Sequence, residues 1–152
     1  MAPQPPSSVP EPEPSGVVTR MEALLRNALA HVGLPYRAGG SSPSTGFDYS
    51  GFVRYLAGQS LGIVLPRTAG EMAGQGLRVD RKDLQPGDLV FFNTRGRPNS
   101  HVGFYLGEGK FIHSPQRGTR VRVNDLAERY FSRRFTAARR LLTQEQGSIV
   151  TP

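Results

Sequence analysis

Cysteine does not occur among the 152 residues, which excludes a disulfide framework, a thiolate metal site and a cysteine nucleophile. No stretch approaches the roughly 18 consecutive apolar residues of a membrane span, and no charged segment followed by an apolar one opens the chain. Neither a membrane helix nor an export signal is therefore expected in it. Lysine is scarce: 17 of the 19 basic residues are arginine, which favours planar, bidentate contact with carboxylates or phosphates. The acidic residues are thinly spread, and between the two ends all 19 bases face nine acids. Nucleic acid, anionic lipid and an acidic polymer all fit such a surface, and so does a merely solvated basic face, because the arginines are scattered. With 37% hydrophobic content, the chain has room for one compact core.

Six prolines fall in the first fourteen positions, so residues 1–16 read as a Pro-rich flexible tether, 17–143 as the folded domain, and 144–152 as a disordered tail. Val17, Met21, Leu24, Leu25, Ala28 and Leu29 form a helical stripe up to His31, ended by Gly33 and Pro35. After a Gly- and Ser-rich loop, Asp48 is a favourable N-cap for a second helix whose buried face is Tyr49, Phe52, Val53 and Leu56. A shorter helix is expected over 68–74. From Leu84 the pattern changes to strands, roughly 88–93, 101–106, 110–114, 119–123 and 134–142, with a helical turn near 125–130. Helices followed by an antiparallel sheet give the α+β class, with N-terminal helices packed on five or six strands.

Of the three histidines, His31 closes the first helix and reads as structural. His101 and His113 bracket a hairpin. A turn centred on Gly107 pairs them directly, and a three-residue loop with Gly109 in the left-handed region offsets them by one diagonal on the same face. A two-residue loop would separate them. Two same-face imidazoles suit a base and the partner that fixes its tautomer. They could also be two ligands of a metal. That reading lacks a third ligand, since Asp48 is committed as a cap, and it lacks a histidine pair at helical spacing, so no metal is expected.

The ordered runs Gly33-Leu34-Pro35-Tyr36-Arg37-Ala38-Gly39-Gly40, Gly46-Phe47-Asp48-Tyr49-Ser50-Gly51-Phe52-Val53, Leu65-Pro66-Arg67-Thr68, Leu84-Gln85-Pro86-Gly87-Asp88, His101-Val102-Gly103 and Phe111-Ile112-His113 resemble the NlpC-type family of papain-like cell-wall peptidases. The resemblance covers roughly residues 20–142. It implies a papain-like α+β domain of the bacterial envelope, periplasmic or anchored to the outer membrane. Such a domain cleaves peptidoglycan stem or crosslink peptides beside D-amino acids and needs no cofactor. Among family members the chain looks most like the murein endopeptidase lipoproteins, whose single domain follows a flexible tether. The lipidation segment that would anchor it lies outside this sequence. The family's nucleophilic cysteine falls on Tyr49, its base on His101 and its orienting residue on His113. Tyr36 matches the tyrosine lining the site, and Asp48 and Ser50 flank the nucleophile and help form the substrate pocket in relatives.

The departure falls on the bond-making position. A cysteine at a helix start beside an imidazole is a thiolate near neutral pH. A phenol ordinarily ionises near pH 10, is bulkier and attacks amides poorly. Hydrolysis by the family route is therefore expected to be lost, with Tyr49 filling the space as an aromatic whose hydroxyl bonds His101. One base change separates a cysteine codon from a tyrosine codon, and every other element of the site is present. The competing reading is a natural pseudoenzyme that binds wall peptide or a partner protein and never cut. Nucleic-acid binding is not expected, because no reading motif occurs and Phe91, Phe92, Phe104 and Phe111 suit strand cores. A monomer is expected.

Overall fold

The computed structural model describes the backbone of residues 16–141 and side chains from Arg20 onward. The expected tether and tail lie outside the described residues, apart from Gly16. Helix α1 spans Gly16–Ala30 and buries Leu24 and Ala28 completely. The chain reverses at Gly33, whose φ of +98° a side chain would oppose. His31 is structural as expected: Nδ1 donates to the Asn27 carbonyl at 2.6 Å, and its ring packs edge-on against Phe47 and Tyr55.

Two minimal strands, β1 (Ser41–Ser42) and β2 (Gly46–Phe47), deliver Asp48 to the start of α2 (Tyr49–Leu56). Asp48 is the predicted cap: its backbone is extended and its carboxylate accepts from the Gly51 amide at 2.6 Å. Phe52, Val53 and Leu56 are fully buried, but Tyr49 at the head of that face is only half-buried. The helix ends in a π-helical turn, Ala57–Leu61, closed by left-handed Gly62. The short α3 (Ala69–Met72) is capped by Thr68.

The second half forms a six-stranded antiparallel sheet of β3 (Leu77–Arg78), β4 (Leu89–Phe92), β5 (His101–Gly107), β6 (Lys110–His113), β7 (Arg122–Asp125) and β8 (Phe135–Arg140). Their spatial order is β3-β8-β4-β5-β6-β7, within the expected five to six. Helix α4 covers Arg129–Arg134. Both sheet faces are covered, which is why Leu89, Val90, Phe91 and Phe92 are all buried. Phe91, Val102, Phe104 and Ile112 meet α1 and α2 on one face, while Val90, Phe92 and Phe111 meet Phe131 and Phe135 on the other. Between the sheet strands, Asp88 is 2% exposed and bonded twice by Arg140 at 2.9 Å, so its charge is paired within the fold.

Two expected elements are displaced. The strand expected at 119–123 lies at 122–125, because 119–121 pair instead with the loop after α1: Gly33 donates to Val121, Val121 to Leu34, and Tyr36 to Thr119. The helical turn expected at 125–130 becomes α4 at 129–134, because Asp125 forms a turn first, accepting from the Ala127 amide at 2.8 Å. Strands β1, β2 and β3 have two residues each, too few to leave a period in the sequence.

Candidate active site

The histidine hairpin adopts the bulged alternative. Phe104 faces Ile112 and Tyr105 faces Phe111, after which the register slips and Gly109 sits at φ +79°. His101 and His113 are thus one diagonal apart on one face. Gly103, between them, makes the approach possible. A Cβ there would meet the Ile112 carbonyl at 2.7 Å and the His113 Cβ at 3.1 Å. Without it, His101 Nε2 and His113 Nδ1 lie 2.7 Å apart.

On β7, Asn124 faces Phe111 and Arg122 faces His113, so the side chain of Asn124 shares the face of His113 and its Oδ1 reaches His113 Nε2 at 2.7 Å. Its Nδ2 in turn donates to both oxygens of Glu128, at 3.2 and 3.0 Å. Glu128 is held by the Asp125 amide at 2.8 Å. Four side chains from β5, β6, β7 and the turn before α4 therefore form one continuous relay.

Burial sets the charge of this relay. His101 is 2% exposed and His113 is fully enclosed, with Phe92, Phe111 and Phe131 against the rings. Desolvation, with the neighbouring ring of His113, pushes His101 well below the ordinary imidazole range. Desolvation also lowers His113 to about 4, against the bond to Asn124. Both rings are neutral at pH 7.

Tyr49 enters from the first turn of α2, and its ring stands edge-on to His101 with centroids 4.9 Å apart. Position 49 thus faces His101. The phenol oxygen does not bond His101, contrary to expectation; it accepts from Arg95 Nη1 at 3.2 Å. Edge-on packing of the ring takes the hydroxyl past the imidazole to the mouth of the site. That bond, above all, raises the pKa of the Arg95 guanidinium.

A cleft of about 650 Å³ is lined by Tyr36, Tyr49, His101, His113, Asn124 and Glu128. Arg95, Arg117 and Arg122 stand around it. Burial first, then the Asp48 charge, raises the Tyr36 phenol above its ordinary value. Asp48 and Ser50, expected in the substrate pocket, do not line the cleft. Their side chains are turned into the fold, where Arg67 bonds both Asp48 oxygens at 3.2 and 2.9 Å and Ser50 Oγ at 2.8 Å. The Gly39 amide adds a bond to Asp48 at 3.1 Å. Among the described residues no group of three or more His, Asp or Glu is placed to hold a metal ion.

Arg95, Asn124 and Glu128 escaped the sequence reading. Asn124 had a signal, since extending the strand past 123 puts it on the face of His113. Arg95 lies in an irregular loop and had none.

A thiol-dependent hydrolase of papain type needs a nucleophile at a helix start facing a buried imidazole that is oriented by a second polar group, and this chain has all but the thiol. Residues 33–140 match the NlpC/P60 family, and the chain belongs to that family of peptidoglycan endopeptidases and hydrolases. It is 45% identical over 125 residues to murein DD-endopeptidase MepH of Escherichia coli, covering 80% of this chain and 46% of that protein. It is 42% identical over 118 residues to a gamma-DL-glutamyl hydrolase of Bacillus subtilis, covering 77% of this chain and 28% of that protein. The crystal structure of an NlpC/P60 family protein from Bacillus cereus superposes with a TM-score of 0.74 at 34% identity, covering 79% of this chain and 39% of that one. The chain thus spans less than half the length of these relatives.

Proposed function

We propose that this chain is a cell-wall peptide-binding NlpC/P60 domain that holds stem or crosslink peptides of peptidoglycan in the cleft and does not cut them. One observation carries the reading: the side chain facing the buried His101 is the phenol of Tyr49, tied through its oxygen to Arg95. A bulky phenol whose oxygen already accepts a hydrogen bond is a poor nucleophile toward an amide, whose amine is a poor leaving group. The family reaction, attack on an amide beside a D-amino acid, stops at its first step.

The rest of the cleft supports binding. A gamma-linked glutamyl residue, as in the name of the Bacillus relative, keeps its α-carboxylate free, and a guanidinium grips a carboxylate through two parallel bonds. Arg117 and Arg122 line the cleft, and among the described residues neither is ion-paired with an acid. With a cysteine at position 49, His101 would accept its proton, His113 would orient His101, and Tyr36 with the first amides of α2 would stabilise the oxyanion. In the same reading, residues 1–16 tether the 17–143 domain within the bacterial envelope and the protein acts as a monomer. Asp48 and Ser50 serve the peptide site from behind, by fixing the start of α2.

The test compares the chain with its Tyr49→Cys variant on purified muropeptides, read by mass. The parent is expected to bind without products, and the variant to release fragments only while His101 is intact. A folded Tyr49→Cys chain that leaves every muropeptide whole would overturn the reading of position 49. Cleavage by the parent would overturn the loss of catalysis. A parent that retains no muropeptide would overturn the binding role.

A further inference from the structure

The relay behind His101 has a direction, and its far end sets it. An ionised Glu128 only accepts hydrogen bonds, so the Asn124 group facing both of its oxygens, at 3.2 and 3.0 Å, is the NH2. That leaves Asn124 Oδ1, an acceptor, against His113 Nε2 at 2.7 Å, and the nitrogen there carries the proton. In a neutral imidazole only one nitrogen does so. His113 Nδ1 is therefore a lone pair, and the 2.7 Å contact is a donation from His101 Nε2. His101 Nδ1 is left unprotonated. Among the described residues it has no hydrogen-bond partner, and no buried side-chain nitrogen or oxygen among them is without one, so Nδ1 opens to the cleft that His101 lines.

We propose that Asn124 and Glu128 are positioning residues that lock both histidines in the Nε2–H tautomer, so that His101 presents a bare Nδ1 as the proton acceptor for the group at position 49. The lock works because Glu128 removes the choice that an amide otherwise has. Without the carboxylate, the Asn124 amide turns over without penalty and offers its NH2 to His113 Nε2. Each proton of the relay then moves to the other nitrogen, and His101 turns an N–H toward the cleft. Nδ1 of such a ring cannot accept a proton from the cleft. Glu128 is itself preset by the Asp125 amide at 2.8 Å, and its carboxylate is held below its usual range chiefly by that bond and by the one from Asn124. Arg122, the charged group on the other side, favours the same ionised form. The role in turnover rests on reading position 49 as the reaction centre, whereas the tautomer is a property of the folded chain.

The experiment is long-range proton–nitrogen correlation NMR of the full chain, labelled at histidine, at pH 7. The parent is expected to show protonated Nε2 and bare Nδ1 on both His101 and His113. Glu128→Ala is expected to shift the two His101 nitrogens toward each other as the relay populates both directions. Glu128→Gln puts an amide that donates as well as accepts beside Asn124, so it is expected to loosen the lock and move the two His101 nitrogens the same way. The double variant Asn124→Asp with Glu128→Ala restores the pattern, because an aspartate at 124 only accepts. A His101 carrying its proton on Nδ1 in the parent would overturn the proposal, as would a folded Glu128→Ala chain with unchanged shifts. In the Tyr49→Cys background, Glu128→Ala should lower kcat about tenfold with KM little changed. Asn124→Asp with Glu128→Ala should restore kcat in that background, and a kcat left as low as in Glu128→Ala would mark a structural role only. If Tyr49→Cys cuts nothing, the functional reading falls while the spectra still decide the tautomer.

Discussion

The Asp48 network and the histidine relay both bring polar atoms out of water beside Tyr49, yet one is ionic and closed while the other is neutral at its two rings and open at one end. Asp48 takes bonds from the Gly51 and Gly39 amides and from Arg67, which also holds Ser50. The network fixes where α2 begins, and neither Asp48 nor Ser50 lines the cleft. The relay runs from Glu128 through Asn124 and His113 to His101, and its last nitrogen faces the cleft. Charge serves to hold position in the first case. Loss of charge serves to hold a proton acceptor in the second. A buried ion pair beside a nucleophile would fix geometry equally well, but it could not take up a proton at neutral pH.

Acid separates the two networks most strongly. The unfolded chain protonates an imidazole near its ordinary value of 6.5, whereas folded His113 resists until about 4. Between those values the unfolded state binds more protons, so the His113 contribution is whole above 6.5, declines as the pH falls, and levels off below about 4. The decline amounts to roughly 3 kcal/mol, and His101 adds to it in the same direction. Urea midpoints at pH 7 and pH 4 measure the loss, and His113→Gln should shrink it. Equal losses in parent and variant would mean that the relay is not what acid attacks.

Removing the ionic network is read at pH 7. Asp48→Ala deletes a helix cap and strands Arg67, with an expected cost of about 2 kcal/mol, seen as a lower urea midpoint at pH 7. In the Tyr49→Cys background it should also blunt cleavage by loosening the start of α2. An Asp48→Ala chain as stable as the parent would show that the β1–β2 turn alone sets the helix.

The smallest effect is expected at the cleft mouth. Arg95 is exposed, and its bond to the Tyr49 oxygen joins the two sides of the site without supporting either. Arg95→Ala should leave the urea midpoint where it was and change muropeptide retention only. A clear loss of stability would make that contact part of the fold.

Much of this arrangement follows from local residue pattern. The cap at Asp48, the buried stripe of α2 and the like-facing histidines all rest on interactions between residues close in sequence or linked by one hairpin. Gly103 and Gly109 belong with them, since a missing side chain and a positive φ leave a mark in the chain itself. Arg95 and Glu128 do not, because each comes from a loop whose path is set by what packs beneath it. Asp48 and Ser50 illustrate the same limit from the other side. Their position next to residue 49 marked them for the pocket, and Arg67, far along the chain, turned them away from it.

Chain order alone therefore settled the class of fold, the helix that carries residue 49 and the absence of a thiol where the chemistry needs one, because periodicity, caps and residue identity are local. Which neighbour the phenol bonds, which way the relay points and which charges face the ligand were settled by packing, because each depends on segments that meet only after the sheet has closed.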